Sequence, residues 1–174
     1  MNEALQNLLT RRSCRKYREE QIQPEELDAI LEAGTYAPTG RGMQTPVIVA
    51  VQDPDTLREV QRLNARVTGD ETAKTFYGAP TVLIVFGIRD NALSTADGNL
   101  VIGNLLNAAN AVGVDSCYIW RAGESFESEE GKALMQKWGV PENYRGIGNV
   151  ILGYGVAEGK REAAPRKDGY IIKV

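Results

Sequence analysis

The sequence predicts a single domain of mixed helices and strands spanning residues 1–174, and three observations carry that expectation. Helical and strand-like patterns both occur, interleaved without a regular strand-helix-strand rhythm. Four short apolar runs, near residues 47, 81, 114 and 149, read as strands. Neither a GxGxxG turn after a strand nor a GxxxxGK[ST] loop is present, so the two common nucleotide-binding α/β folds are disfavoured. The length allows one real core. A composition of 43% hydrophobic and 25% charged residues is that of a globular protein rather than a disordered one.

In chain order, Glu3 to Leu9 carries Ala4, Leu5, Leu8 and Leu9 at helical spacing. Pro24 opens a second helix, with Glu25 and Glu26 complementing its positive end and Gly34 as a plausible stop. The stretch Ala37 to Pro46 is a loop, with two glycines and two prolines in ten residues. Val47–Val51 does not alternate and is expected to be buried on both faces. Asp53 and Pro54 start a helix that runs to about Arg66. Thr68 to Tyr77 is polar and unpatterned, the segment expected to be most mobile, with Phe76 or Tyr77 as gate candidates. Thr81–Gly87 is a second buried strand.

Asn99 to Val112 is apolar on nearly every face of a helix. It is expected to be either the central helix or half of a subunit interface. Val114–Trp120 contains a third strand, Ser128–Trp138 a helix, and Asn149–Tyr154 a fourth strand. The apolar end, Tyr170–Val174, reads as a strand that docks elsewhere, on a partner subunit for instance, because termini are commonly polar and frayed.

Charge and residue counts exclude several functions. A net charge of −3 argues against a general nucleic-acid binder. No apolar run approaches the ~20 residues of a membrane span. Met1-Asn2-Glu3-Ala4 lacks the layout of a signal peptide, which leads us to expect a cytoplasmic protein. Two cysteines, Cys14 and Cys117, do not make a disulfide framework, and with no histidine they argue against a zinc site. The missing histidine also removes Ser-His-Asp and Cys-His chemistry. An enzyme of this composition would rest on a cofactor or on carboxylates.

The most informative stretch is Arg11-Arg12-Ser13-Cys14-Arg15. Three guanidinium groups and a hydroxyl within five residues suit a phosphate dianion. Like charges repel, so an acidic chain needs a reason to gather them. The competing reading is a solvated basic turn paired with Glu19 or Glu20.

Three stretches together resemble the nitroreductase family of FMN-dependent oxidoreductases. Arg11-Arg12-Ser13-Cys14-Arg15-Lys16-Tyr17 is similar to that family's RRSxRx[FY] signature. Ile30-Leu31-Glu32-Ala33-Gly34-Thr35-Tyr36-Ala37-Pro38-Thr39 resembles its ILEAAxxAP[ST] pattern, with Gln44 and Pro46 following. Leu152-Gly153-Tyr154 and Pro165-Arg166-Lys167 resemble its closing LGYP…PRK segment.

The resemblance implies an α+β fold with a central, mainly antiparallel sheet flanked by helices, and an intertwined homodimer with FMN at the interface. It also implies NADH or NADPH as co-substrate and a small electron-poor acceptor such as a nitroaromatic or quinone. The cofactor-binding residues it implies are Arg11, Arg12, Ser13 and Arg15 on one side. Pro38, Thr39, Gly40, Arg41 and Gln44 would hold the ring and ribityl chain from the other. Arg166 and Lys167 would complete a phosphate clamp, and Asn64 would reach the pyrimidine edge. Gly42 stands where the family commonly has asparagine.

Two other functions compete. One is a non-catalytic anion-binding or regulatory module built on the same arginines. The other is a flavoenzyme of different chemistry, such as dehalogenation, flavin fragmentation or enone reduction. Trp120 and Trp138 read as core or interface residues rather than flavin-stacking ones. Cys14 reads as an inert buried thiol.

Overall fold

The computed structural model describes all 174 residues. Four strands, β1 (Val47–Val51), β2 (Thr81–Ile88), β3 (Asp115–Ile119) and β4 (Tyr144–Gly153), form one sheet in the order β1-β2-β4-β3. Every pairing is antiparallel. Six helices flank it: α1 (Glu3–Thr10), α2 (Pro24–Thr35), α3 (Pro54–Arg66), α4 (Ser94–Ala111), α5 (Ala122–Glu127) and α6 (Glu129–Lys137).

β2 explains the layering. Val82, Ile84 and Phe86 point into one core with α3, α5 and α6, through residues such as Leu63, Phe126 and Leu134. Leu83 and Val85 point into a second core with α2 and α4, through Ile30, Val101 and Leu105. A strand buried on both faces has no need to alternate, which is why its sequence is one apolar run. β1 differs from that expectation. It is an edge strand, only partly buried, with Ala50 exposed. An apolar run alone does not distinguish edge from centre.

Local capping sets the helix ends. α2 begins with a capping box between Gln23 and Glu26, and α3 with the Asp53 carboxylate accepting the Thr56 N–H at 2.9 Å. α4 begins at Ser94, five residues earlier than its apolar pattern suggests. It is the central helix on one side, burying Val101, Ile102, Leu105 and Ala109, while Leu100 and Ala111 stay exposed on the other. The Asn104 amide donates to the Ala33 carbonyl at 3.0 Å and ties α2 to it.

β4 begins five residues before its apolar run, because Gly146 and Gly148 interrupt the strand pattern. Both are close-approach positions. A Cβ at Gly146 would lie 2.3 Å from the Ala122 carbonyl oxygen, and one at Gly148 would lie 2.6 Å from the Tyr118 ring. α5 has no counterpart in the sequence reading. Tyr170–Val174 forms no strand and is exposed. No helix is long and apolar enough to cross a membrane.

Candidate functional site

Beyond α1 the basic cluster becomes an extended strip along the free edge of β3. Ser13 pairs with Ser116 in parallel, and the Cys14 N–H donates to the Ser116 carbonyl at 2.9 Å. The strip's other side is stitched to the chain beyond β4. The Arg15 N–H donates to the Gly159 carbonyl at 2.8 Å, and the Arg18 N–H to that of Tyr154 at 2.9 Å. Asp115 locks the junction, accepting the Gly155 N–H at 3.0 Å and pairing with Lys160 at 3.0 Å. Cys14 is fully buried beneath the strip, and burial pushes its thiol up, as fits an inert structural cysteine.

The cluster is left without counter-ions. No carboxylate lies within 4.0 Å of Arg11, Arg12 or Arg15, and the chain's ion pairs all lie elsewhere. Pairing with Glu19 or Glu20 is absent. Arg12 is spent differently from its neighbours. Its Nη1 donates to the carbonyls of Leu9, at 2.9 Å, and Arg11, at 2.6 Å, closing the end of α1. Arg11 and Ser13 are half-buried and Arg15 is exposed.

The second group, Pro38 to Gln44, is a tight loop between α2 and β1. The Thr39 hydroxyl accepts the Gln44 N–H at 2.9 Å, and the Gly40 N–H donates to the buried Asp97 carboxylate at 3.0 Å. Arg41 and Gln44 hold left-handed backbone at φ 57° and 50°, flanking Gly42 at 65°. Left-handed non-glycine residues cost about 1–3 kcal/mol each and persist only where their surroundings over-determine them. A Cβ at Gly40 would meet the end of the half-exposed Leu93 side chain at 2.3 Å, so that side chain would have to turn aside. Thr39 and Gln44 line a groove of about 430 Å³ together with Gly34, Thr35, Pro46 and Ile48.

The two groups do not meet within one chain. α4 measures their separation. Its Asp97 holds Gly40, and its Asn110, thirteen residues on, donates to the Asn7 side-chain oxygen at 2.6 Å. Thirteen helical residues span about 20 Å. The sheet agrees. The strip lies beside Ser116, which faces Leu152, on one edge. The loop feeds Val47, at the level of Gly146, on the other edge. Counting the strip itself, that is four strand spacings across, about 19 Å, and six residues along, about 20 Å.

Arg166 and Lys167 lie on the tail beyond β4. Both are exposed, and Arg166 bonds only to the nearby Ala164 carbonyl, at 2.5 Å. Asn64 is 1% exposed and inward-facing. Its Nδ2 donates to the Trp120 carbonyl at 2.9 Å, and its Oδ1 accepts from Arg121 Nη2 at 3.2 Å. Through these bonds it supports the turn after β3. Trp138 packs on the core beside Phe126, whereas Trp120 is 60% exposed. Arg121 is a candidate that the sequence reading passed over. Its backbone is left-handed at φ 77°, and no carboxylate pairs with it. Its contact with Asn64, 57 residues away, has no local signature.

Comparison with known proteins agrees with this architecture. The model of the nitroreductase family matches residues 8–154. A protein of Archaeoglobus fulgidus, provisionally named an NADH dehydrogenase/NAD(P)H nitroreductase, is 30% identical over 161 residues, covering 88% of this chain and 86% of that one. A crystal structure of a nitroreductase with bound FMN from Bacteroides fragilis superposes with a TM-score of 0.92 at 33% identity, covering 100% of both chains. A second, from Desulfitobacterium hafniense, shares the fold at a TM-score of 0.87 and 24% identity, covering 100% of this chain and 99% of that one. From its sequence and its fold, this chain belongs to the nitroreductase family.

Proposed function

We propose that this chain is an FMN-dependent oxidoreductase acting as a homodimer. It takes reducing equivalents from NADH or NADPH and passes them to a small electron-poor acceptor, such as a nitroaromatic or a quinone. The observation that carries the reading is the Arg11–Arg15 strip, a set of guanidinium groups without a carboxylate of their own.

The donor set fits the group. Arg11, Arg15 and the Ser13 hydroxyl lie on one short extended strip, and a phosphate monoester is the anion that forked donors match best. Each charge-assisted hydrogen bond contributes about 1.5–3 kcal/mol. FMN, when bound, supplies the redox chemistry, accepting hydride from the nicotinamide and yielding it to the acceptor. The chain's part is to hold, orient and shield. A protein without histidine is suited to that division of labour.

Distance and exposed apolar surface support the homodimer. Arg15 and Thr39 lie too far apart in one copy to grip one flavin. A second copy, related by a two-fold axis, would bring the partner subunit's Thr39 and Gln44 to the first copy's Arg11 and Arg15. Leu5, Leu8 and Leu9 on α1 and Leu100 on α4 are about half exposed, and Ile172 is 83% exposed. These are side chains that an interface between copies would cover. Arg166 and Lys167 would close on the phosphate once the tail has a second copy to lie against.

The test begins with colour. Purified protein should carry a flavin spectrum, or acquire one with FMN, and anaerobic NADH or NADPH should bleach it. Protein that stays colourless and leaves FMN free would return the reading to an anion-binding module. Both substrates use one open face in turn, so double-reciprocal plots should be parallel; intersecting lines would remove the shared-face mechanism.

A further inference from the structure

We infer that Arg121 contacts the pyrimidine edge of the bound flavin and raises its reduction potential. The inference rests on the flavin reading above and adds a residue to that site. Arg121 closes the turn after β3 and is half-buried. Its Nε and Nη2 both point at Asn64 Oδ1, at 3.4 and 3.2 Å, which fixes the guanidinium plane and leaves Nη1 free. Two buried asparagines from different elements hold this turn. Asn64 on α3 donates to the Trp120 carbonyl at 2.9 Å, and Asn149 on β4 donates to the Ile119 carbonyl at 3.0 Å.

The result is an over-determined mount for a cation. A left-handed backbone at a non-glycine residue costs free energy, and buried amides are committed to keeping it there. No carboxylate neutralises the charge so held. Its position relative to the phosphate strip identifies what it faces. Ser116, beside Ser13, marks the phosphate end, and Trp120 lies four residues on, just past the end of β3, about 13 Å away. A mononucleotide anchored by its phosphate at the strip and extended along this edge ends with its ring at Trp120 and Arg121. The electron-rich N1–C2 carbonyl edge of the ring is the part a guanidinium would stabilise, and it gains negative charge on reduction.

The readouts are the two-electron midpoint potential of the bound flavin and its affinity for sulfite. Sulfite adds at N5 and leaves negative charge on the same N1–C2 edge. Arg121→Gln with FMN bound should hold sulfite about ten- to a hundredfold more weakly, and its potential should fall by about 30 mV for each tenfold. Arg121→Lys, which keeps the charge, should recover part of both. A yellow Arg121→Gln protein with wild-type potential and sulfite affinity overturns the assignment and leaves the flavin reading intact. So does one that loses only its use of NADPH relative to NADH, which would place the guanidinium at a co-substrate phosphate. Wild-type protein that binds no FMN removes the flavin reading itself.

Discussion

Asp97 and Asn110 stand thirteen residues apart on α4, and each holds one half of the candidate site. Asp97 accepts the Gly40 N–H, and Asn110 donates to Asn7 at the root of the arginine strip. The helix is therefore a spacer of about 20 Å that keeps the halves from meeting within one copy. In the proposed homodimer a second copy would bring these two surfaces together.

Subunit complementation tests this directly. Arg15→Glu should abolish flavin binding through the strip, and Thr39→Trp should abolish it by filling the groove. Each variant alone spoils both sites of its own dimer. In a hybrid dimer one site carries both substitutions and the other carries neither. Co-refolding the two at equal concentration should restore flavin to about a quarter of the sites, the statistical share for a two-fold dimer. No recovery above the parents, with hybrids demonstrably present, would mean that the halves do not combine across copies.

The three arginines of the strip should separate by role. Arg11→Ala and Arg15→Ala each remove a charge-assisted contact of about 1.5–3 kcal/mol, so FMN affinity should fall about ten- to a hundredfold. Their effect should shrink as salt screens the exposed charges. Arg12 instead holds the Leu9 and Arg11 carbonyls. Arg12→Ala should cost about 0.5–1.5 kcal/mol of stability by urea unfolding, with little change in flavin affinity. Equal loss of affinity across all three would mean that Arg12 also faces the ligand.

How much of this was legible in the sequence depends on whether the cause is local. The Asp53-Pro54 start of α3 and the Gln23 and Glu26 box of α2 are local chemistry, and both helices form where those residues indicate. The arginine strip was visible as a residue type, because an acidic chain rarely gathers cations without an anion to meet. The start of β4 was hidden, since Gly146 and Gly148 are there to admit Ala122 and Tyr118, contacts that exist only once the chain has folded. Arg121 was hidden for the same reason, its meaning residing in Asn64 on another element. The separation of the two half-sites needed the strand order, which no local pattern encodes.

Asp97→Ala should loosen the Pro38–Gln44 loop. It removes a carboxylate acceptor that is buried and holds the Gly40 N–H. The loss of a hydrogen bond to a charged group costs about 1.5–3 kcal/mol, which for a domain of this size lowers Tm by about 3–12 °C. Asp97→Asn keeps an acceptor and should cost less. A thermal melt of Asp97→Ala that matches the wild type would show that the left-handed turn at Arg41 is held by the loop alone.

The stretch between α3 and β2 should open as the pH falls. It was expected to be mobile, yet it is pinned by Phe76, which is fully buried, and by a network in which Glu71 and Glu130 bridge Arg62 and Arg66. The Arg62 hydrogen bond, with that of Arg66, holds the Glu71 carboxyl below its ordinary range. Arg66, then Arg62, does the same for Glu130. A carboxyl whose folded pKa is depressed binds fewer protons folded than unfolded. Its stabilisation is therefore present above the unfolded value, about 4.3, and is lost as the pH drops through the lower folded value. Protease cleavage or amide exchange within residues 67–78 should accelerate below about pH 4 and with added salt, while β2 stays protected. Glu130→Gln should show faster opening at pH 7 and a shallower pH dependence. If both proteins open with the same pH profile, the ion pairs are bystanders and the buried Phe76 ring alone closes the segment.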